Sequence, residues 1–438
     1  GDKMRITKIT PAKCFECEFD DIATDKSISH RSAMFALLAD SPCEVEGYLM
    51  GEDTLHTLQI ARELGLVVEQ STNTLKLIPP HHINEPHKVL DCGNAGTGMR
   101  LFAGLLSGVK GHFVLSGDEY LNARPMRRIV EPLNSIGACI RGRNNNAYAP
   151  LSIVGGHLQA FDYTSPIASA QVKSAMILAG LRSQGRSRFY EPFLSRNHTE
   201  NMLRGMGVQI QSKENENGGY EVCFEGQPYK KLKSFHIKIP ADPSSAFYFA
   251  VAACVLESKV KLKNVLLNKT RIEAFKILES MGAEVTYHRH HSLYEEVGDI
   301  EVYGKSLRAI EVTDNIAWLI DEIPALSICF AVAKGTSRVC NAKELRVKES
   351  DRIRAVVSNL RSMGIVCDEF EDGFSVCGGE LKRARVSSFG DHRIAMSFAI
   401  AQLVCGGEIA DSACIDVSFP QFLAYLSHIT SVENANEG

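Results

Sequence analysis

No stretch of this sequence is long and apolar enough to cross a bilayer; the apolar run from Ala246 to Leu256 falls far short of the roughly 20 residues a spanning helix needs. No basic segment followed by an apolar stretch and a small-residue cleavage site opens the chain, so nothing argues for export or insertion. Neither sign of charge dominates: 48 Lys and Arg stand against 52 Asp and Glu, a formal net charge of −4. Such a balance gives no overall attraction to nucleic acid or to an anionic membrane, and an aromatic and basic stripe for nucleic acid is missing as well. Any anion must be recognised by locally clustered Arg and Lys, which points to a small anionic ligand.

A second CxxC is also missing. Cys14 and Cys17 form one such pair, but no further pair and no nearby paired histidines complete a tetrahedral site, so no metal is expected there. Thirteen cysteines, an odd number scattered along the chain, do not read as a disulfide framework; reduced thiols and a cytoplasmic location are the expectation. Low-complexity sequence is absent apart from a short polar tail after Ile429, which is expected to fray.

What is present begins with length. A chain of 438 residues exceeds what one hydrophobic core organises, so two domains are expected, and the 45% apolar and 23% charged content is ordinary for a globular protein. An internal repeat runs along it. One copy reads as an amphipathic helix from Thr57 to Leu64, closed by Gly65, then Leu66-Val67-Val68, a turn around Ser71 to Asn73, and Leu75-Lys76-Leu77. Its relatives end their helices at Gly137, Gly207, Gly282 and Gly364. Each glycine suits a left-handed helix C-cap, and turns such as Asn144-Asn145-Asn146, Asn217-Gly218-Gly219 and Glu371-Asp372-Gly373 suit hairpins. The glycines recur about 70 to 80 residues apart, too far for a solenoid, so each unit reads as one βαβ-type subdomain of an α/β protein. Five copies are visible, and a sixth follows partly from arithmetic. Prolines 240 and 243 within Lys238 to Ser245 mark a boundary or hinge.

Five clusters carry candidate chemistry. In Asp25-Lys26-Ser27-Ile28-Ser29-His30-Arg31, a cap at Thr24 or Asp25 would place Ser27 and Arg31 one turn apart beside Lys26, an anion site at a helix N-terminus; a capped surface helix is the plainer alternative. The run Leu90 to Arg100, with Gly93, Asn94, Gly96, Thr97 and Gly98, allows close backbone approach to a ligand, but it is neither a Walker loop nor a dinucleotide fingerprint, and a tight turn explains it equally well. In Ala123-Arg124-Pro125-Met126, Pro125 fits the first position of a helix and holds Arg124 just outside it. The segment Ser165 to Ser174, with Ser169, Ala170 and Gln171, puts polar groups at one edge of a buried helix, and Ser195-Arg196 adds a hydroxyl and a cation; plain capping is the alternative. Last, Arg346 to Arg352 places Lys348 and Arg352 one turn apart on a helix with Glu349 between them, flanked by Asp321-Glu322 and Asp391-His392-Arg393. An exposed salt-bridged helix would look alike, yet carboxylates and cations in company are what proton transfer to an anionic substrate requires.

In this order, and over Asp25 to Phe419, these segments resemble the enolpyruvyl transferases, and among them the 5-enolpyruvylshikimate-3-phosphate synthase family. The resemblance implies a two-domain inside-out α/β barrel, each domain three βαβαββ repeats, with the active site in the interdomain cleft. It places one domain at 25–242 and the other, discontinuous, at 1–24 plus 243–438. It implies transfer of the enolpyruvyl group of phosphoenolpyruvate to the 5-hydroxyl of shikimate 3-phosphate by addition and elimination, by a monomer needing no metal or organic cofactor. Shikimate 3-phosphate would meet Lys26, Ser27, Arg31, Ser169, Ala170, Gln171, Arg196, Asp321 and Lys348. Phosphoenolpyruvate would meet Lys26, Asn94, Gly96, Thr97, Arg124, Gln171, Arg352 and Arg393. Glu349 and Lys26 would move protons, and Asp321 would hold or deprotonate the hydroxyl.

Two positions depart from the family pattern. Val417 stands where many members carry a lysine, so no phosphate ligand is carried over to it. Gly96 stands where herbicide-tolerant relatives have Ala, which implies inhibition by glyphosate in competition with phosphoenolpyruvate. The sibling enzymes that use UDP-N-acetylglucosamine carry a reactive Cys before their Arg-Pro, and Gly117 to Asn122 holds none; Ser27 also replaces their Asn. A non-catalytic phosphate-ligand sensor would retain the same cleft but turn nothing over.

Overall fold

The structure, a computed structural model, describes residues 4–437. Contacts divide the chain into two units. The inserted unit runs from Thr24 to Ile239 and takes in Leu293–Glu295; the discontinuous unit combines the chain up to Ala23 with Pro240–Ser292 and everything from Glu296 onward. At the return crossing Asp242 caps the helix Pro243–Val255 with Pro243 in its first turn, where a missing N–H costs nothing.

Six four-stranded sheets are present among the described residues, three in each unit. One repeat serves for all. Strand Asp162–Thr164 leads into the helix Ala170–Gly180, then strand Arg186–Glu191 runs parallel to the first, with Tyr163 opposite Phe189. The helix His198–Gly205 follows, and the hairpin Ile210–Glu214 and Tyr220–Glu225 completes the sheet, with Phe189 opposite Val222 and Ile210 opposite Phe224. Alternation along these strands puts Phe189, Val222 and Phe224 on the buried face.

The two helices of a repeat differ in kind. Those between the parallel strands are buried on nearly every side and fill the middle of their unit: Lys26–Phe35, Gly96–Ser107 and Ala170–Gly180 in the inserted unit, Pro243–Val255, Ile323–Val332 and His392–Cys405 in the discontinuous one. Close approach is built in by small residues. A Cβ on Gly104 would lie 2.3 Å from the carbonyl oxygen of Ala175 on the neighbouring helix. The second helices have a polar outer stripe and end at Gly65, Gly137, Gly207, Gly282 and Gly364, all at positive φ, as the sequence predicts.

The sixth repeat is hidden in the sequence for a topological reason. Its strands Ala384–Ser387 and Gly407–Ala410 flank the helix His392–Cys405 in the usual way, but the next strand in the sheet is Met4–Ile9, from the other end of the chain. Strand Val432–Glu437 then pairs with Met4–Ile9, Ile6 opposite Ala435. The polar tail is therefore an edge strand and not a frayed end. Its polar composition suits a strand in which almost every residue faces water, and Glu437 further takes two hydrogen bonds from Arg385 at 2.9 and 3.0 Å.

Candidate active-site residues

In the inserted unit the candidates cluster at the N-terminal ends of the three central helices. Asp25 caps the first, its Oδ2 accepting from the Ile28 N–H at 2.9 Å, which makes Lys26 the first helical residue. The Lys26 ammonium lies 2.6 Å from Asp53. Desolvation works to raise the Asp53 carboxyl, but Lys26, with help from His30 and Arg124, outweighs it and holds the carboxyl below its usual range. Arg31 is 3% exposed and anchored through three groups: Nη1 donates to the Ser27 carbonyl at 3.1 Å, Nε to Thr199 Oγ1 at 2.9 Å and Nη2 to Ser174 Oγ at 3.3 Å.

The second helix starts at Gly96 and the third at Ala170, where Ser169 is the cap and its Oγ accepts from the Val172 N–H. Gln171 ties the two together, donating to Thr97 Oγ1 at 3.1 Å and accepting from Arg100 Nη1 at 2.7 Å. Arg124 donates to Asn94 Oδ1 at 2.9 Å, and Asn94 in turn donates to the Asp118 carboxylate. Gly96 is pressed against both guanidinium groups, since a Cβ there would lie 2.8 Å from Arg100 Nη1 and 3.3 Å from Arg124 Nη1. Burial, with Arg124 and Arg128 adding repulsion, pushes Arg100 down to about 10. Arg196 is half-buried in the loop of residues 192–197.

One expectation for this unit is corrected. Pro125 does not open a helix: the helix is Arg127–Ser135, capped by Met126. What Pro125 does is hold Arg124 extended, at φ −79° and ψ 147°, because the proline ring excludes the helical region for the residue before it.

In the discontinuous unit Arg352 is the hub, 1% exposed. Its Nε and Nη2 donate to the two oxygens of Asp391 at 2.9 and 3.2 Å, Nη2 also to Glu349 Oε2 at 2.7 Å, and Nη1 lies 3.8 Å from Asp321. Asp321 is likewise 3.8 Å from Arg393 Nε. Asp391 caps the helix that begins His392-Arg393, accepting from the Arg393 N–H at 3.0 Å, and accepts from Ser350 Oγ at 2.8 Å. Desolvation would raise the carboxyls of Asp391 and Glu349, but the Arg352 guanidinium overrides it at both and keeps them below their usual range. His392, desolvated and beside Arg393, is pushed down to about 4.

A second expectation fails here. Lys348 and Arg352 are not one turn apart on a helix, because Asp351 caps a new helix, Arg352–Ser362, by accepting from the Arg354 N–H, and Lys348 terminates the preceding turn Lys343–Val347. Lys348 is instead drawn to Glu344 at 3.2 Å. Val417 lies in the short helix Ile415–Ser418 with its side chain exposed.

Two general points follow from this geometry. Lys26 is neutralised by Asp53 and Arg352 by Asp391 and Glu349, whereas Arg100 and Arg124 hydrogen-bond to the neutral amides of Gln171 and Asn94 and repel each other. An entering anion would exchange one partner for another. Sequence reasoning does not reach two residues: Asp53 lies 27 positions from Lys26 with nothing local to mark it, and in the sequence Arg100 is only the end of a glycine-rich run.

Comparison with known proteins supplies the context. The sequence matches the family described as EPSP synthase (3-phosphoshikimate 1-carboxyvinyltransferase) over residues 17–426. It is 79% identical over 437 residues to the 3-phosphoshikimate 1-carboxyvinyltransferase of Helicobacter hepaticus, covering 99% of this chain and 100% of that one. It is 56% identical over 435 residues to the enzyme of the same name from a Nitratiruptor species, covering 99% and 100%. Among solved structures, an EPSP synthase from Acinetobacter baumannii superposes with a TM-score of 0.90 at 36% identity, covering 99% of this chain and 100% of that one. With a full-length match in sequence and in fold, the chain belongs to the EPSP synthase (3-phosphoshikimate 1-carboxyvinyltransferase) family.

Proposed function

We propose that this protein transfers the enolpyruvyl group of phosphoenolpyruvate to the 5-hydroxyl of shikimate 3-phosphate and releases inorganic phosphate. The observation that carries the reading is the end-to-end likeness to 3-phosphoshikimate 1-carboxyvinyltransferases, together with helix ends bearing Lys26, Gln171, Arg352 and Arg393. A UDP-N-acetylglucosamine acceptor and a non-catalytic sensor are not favoured by that likeness.

The chemistry needs charge and protons and no electrons. The hydroxyl oxygen bonds to C2 of phosphoenolpyruvate while a proton adds to its methylene; the tetrahedral intermediate then breaks its C–O bond to phosphate and loses a proton from the methyl group. In our reading Ser27, Arg31, Ser169, Ala170, Gln171, Arg196 and Lys348 hold shikimate 3-phosphate, and Asn94, Gly96, Thr97, Arg124, Gln171, Arg352 and Arg393 hold phosphoenolpyruvate, with Lys26 serving both. Asp321 orients the attacking hydroxyl and accepts its proton. Glu349 begins as a carboxylate held by Arg352; when an anion engages Arg352, that hold weakens, the carboxyl rises toward its usual range, and Glu349 can carry the methylene proton with Lys26. The arginines supply the charge stabilisation that a metal would otherwise give.

The protein would act as a monomer in the cytoplasm, where thirteen free thiols are at home, and would be inhibited by glyphosate in competition with phosphoenolpyruvate. Among the described residues no helix is long and apolar enough to cross a membrane. Phosphate release from the purified protein with phosphoenolpyruvate and shikimate 3-phosphate, run beside UDP-N-acetylglucosamine, tests the function. Release with the shikimate acceptor alone is expected. Release with the nucleotide sugar alone, or with neither, would reject it.

A further inference from the structure

Lys173 takes no part in the contacts assigned above, yet its side chain and that of Glu191 are 0% exposed and that of Glu200 is 2% exposed. The ammonium donates to the Ser195 carbonyl at 3.2 Å and forms ion pairs with Glu191 Oε2 at 2.6 Å and Glu200 Oε2 at 3.1 Å. Glu191 Oε1 accepts from the Ser195 N–H at 3.0 Å. Residue 195 is thus gripped at both its N–H and its C=O by one buried ion pair, and the next residue is Arg196. Adjacent residues of the same two helices, Ser174 and Thr199, hydrogen-bond to each other at 2.7 Å and orient Arg31.

Such a cluster is a costly way to stabilise a fold. One lysine against two carboxylates leaves an excess negative charge out of water, and a well-packed apolar group would serve stability as well. Desolvation accordingly raises the Glu191 carboxyl against the opposing pull of Lys173, and Glu191 Oε2 and both oxygens of Glu200 have no hydrogen-bond partner beyond the ion pairs. What the arrangement does supply is a fixed backbone in a loop that has no ladder of its own. An arginine on a loose loop loses conformational freedom when it binds, whereas one on a clamped peptide has lost it already.

We infer that Lys173 and Glu191 are positioning residues for shikimate 3-phosphate, clamping the Ser195 peptide so that Arg196 is held ready for that substrate. This rests on the assignment of Arg196 above. It predicts an asymmetry between substrates, because Arg196 is assigned to one of them and not to the other.

A matched pair of isosteric variants tests it. Glu191→Gln and Glu200→Gln make the same chemical change and both relieve the excess charge, so both should fold, but only the first weakens the grip on Ser195, since one amide oxygen cannot serve the Ser195 N–H and Lys173 together. Glu191→Gln is expected to raise KM for shikimate 3-phosphate at least fivefold with KM for phosphoenolpyruvate within twofold, and Glu200→Gln to leave both within twofold. Arg196→Gln sets the scale. If Arg196→Gln raises the shikimate 3-phosphate KM while the two glutamate variants behave alike, the clamp is refuted and the substrate assignment stands; if Arg196→Gln changes nothing, the assignment fails and the clamp with it. Hydrogen exchange of the Ser195 amide in the unaltered protein serves if a variant does not fold: protection like that of a strand amide is expected, and exchange at an open-loop rate overturns the inference.

Discussion

Removing Asp391 should unravel the Arg352 hub, and the size of the effect can be worked from its contacts. Arg352 is 1% exposed and Asp391 0% exposed, so Asp391→Ala leaves a guanidinium short of its main partner in a place water does not reach. Breaking a buried pair from one side costs about 3–5 kcal/mol; because Glu349 remains at 2.7 Å, the lower end applies, about 3 kcal/mol. Loss of the N-cap on His392–Cys405 adds about 1 kcal/mol, and the stranded Ser350 hydroxyl about half that, for a total of about 4.5 kcal/mol. Asp391→Asn keeps the cap and the Ser350 contact and gives up the charge, about 2.5 kcal/mol. With an urea m-value of about 3 kcal/mol/M for a unit of this size, the unfolding midpoint should fall by about 1.5 M for Ala and about 0.8 M for Asn. The sign with pH is fixed by the depressed carboxyl: its contribution is complete above the ordinary value of 3.8 and is lost as pH falls below that through the folded-state value, so wild type and Asp391→Asn should converge in strong acid. Urea titrations followed by far-UV circular dichroism decide it. A loss below about 1 kcal/mol for Asp391→Ala, or equal losses for Ala and Asn, would mean that Arg352 is not held as described.

Gly104→Ala forces a methyl group to within 2.3 Å of the Ala175 carbonyl oxygen and should cost about 2–3 kcal/mol in the inserted unit while leaving the Asp391-sensitive transition in place; an unchanged urea curve would contradict the packing. His30 is 0% exposed, with Nδ1 on Thr57 and Nε2 without a partner, and desolvation, with Lys26 adding, pushes it down to about 3. The unfolded chain therefore takes up this proton first, so stability is full above about pH 6.5 and should fall by about 2 kcal/mol between pH 7 and pH 5, a loss that His30→Gln removes. Equal acid losses in both proteins, read from urea midpoints, would show that His30 is charged in the fold. Gly96→Ala moves only the flexible ends of Arg100 and Arg124, so the fold should stand while phosphate-release assays show glyphosate inhibition weakened at least tenfold and the phosphoenolpyruvate KM raised a few-fold; unchanged inhibition would separate Gly96 from that site.

What the sequence revealed, and what it hid, has a physical pattern. Gly65, Gly137, Gly207, Gly282 and Gly364 betray five repeats because a left-handed C-cap is a local demand that few residues but glycine meet cheaply. The sixth repeat was obscured because Met4–Ile9 completes its sheet from far away, and no local pattern records a partner that distant. The same limit applies in the site. Asp25 as a cap was among the readings, being local, whereas the Lys26–Asp53 pair and the Lys173, Glu191 and Glu200 cluster join positions that only folding brings together. Lys348 and Arg352 were misplaced because charge spacing suggested one helix, while the capping Asp351 between them begins a new one. Arg124 was placed outside a helix correctly but for a different reason, the restriction that Pro125 imposes on the residue before it.

The sheet that joins Met4–Ile9 to Gly407–Ala410 and Val432–Glu437 also sets a schedule for biosynthesis. Thr7 bonds Ser412, 405 positions later, and at a synthesis rate of about 5–20 residues per second that wait is about 20–80 s. Through all of it a strand with buried Ile6 and Ile9 has both its backbone edges unpaired, while the nearly continuous inserted unit can finish folding as the ribosome moves on. The nascent chain thus carries a sticky leading segment ahead of an already folded body, which makes that segment the natural place for a chaperone to hold and for aggregation to start when synthesis stalls.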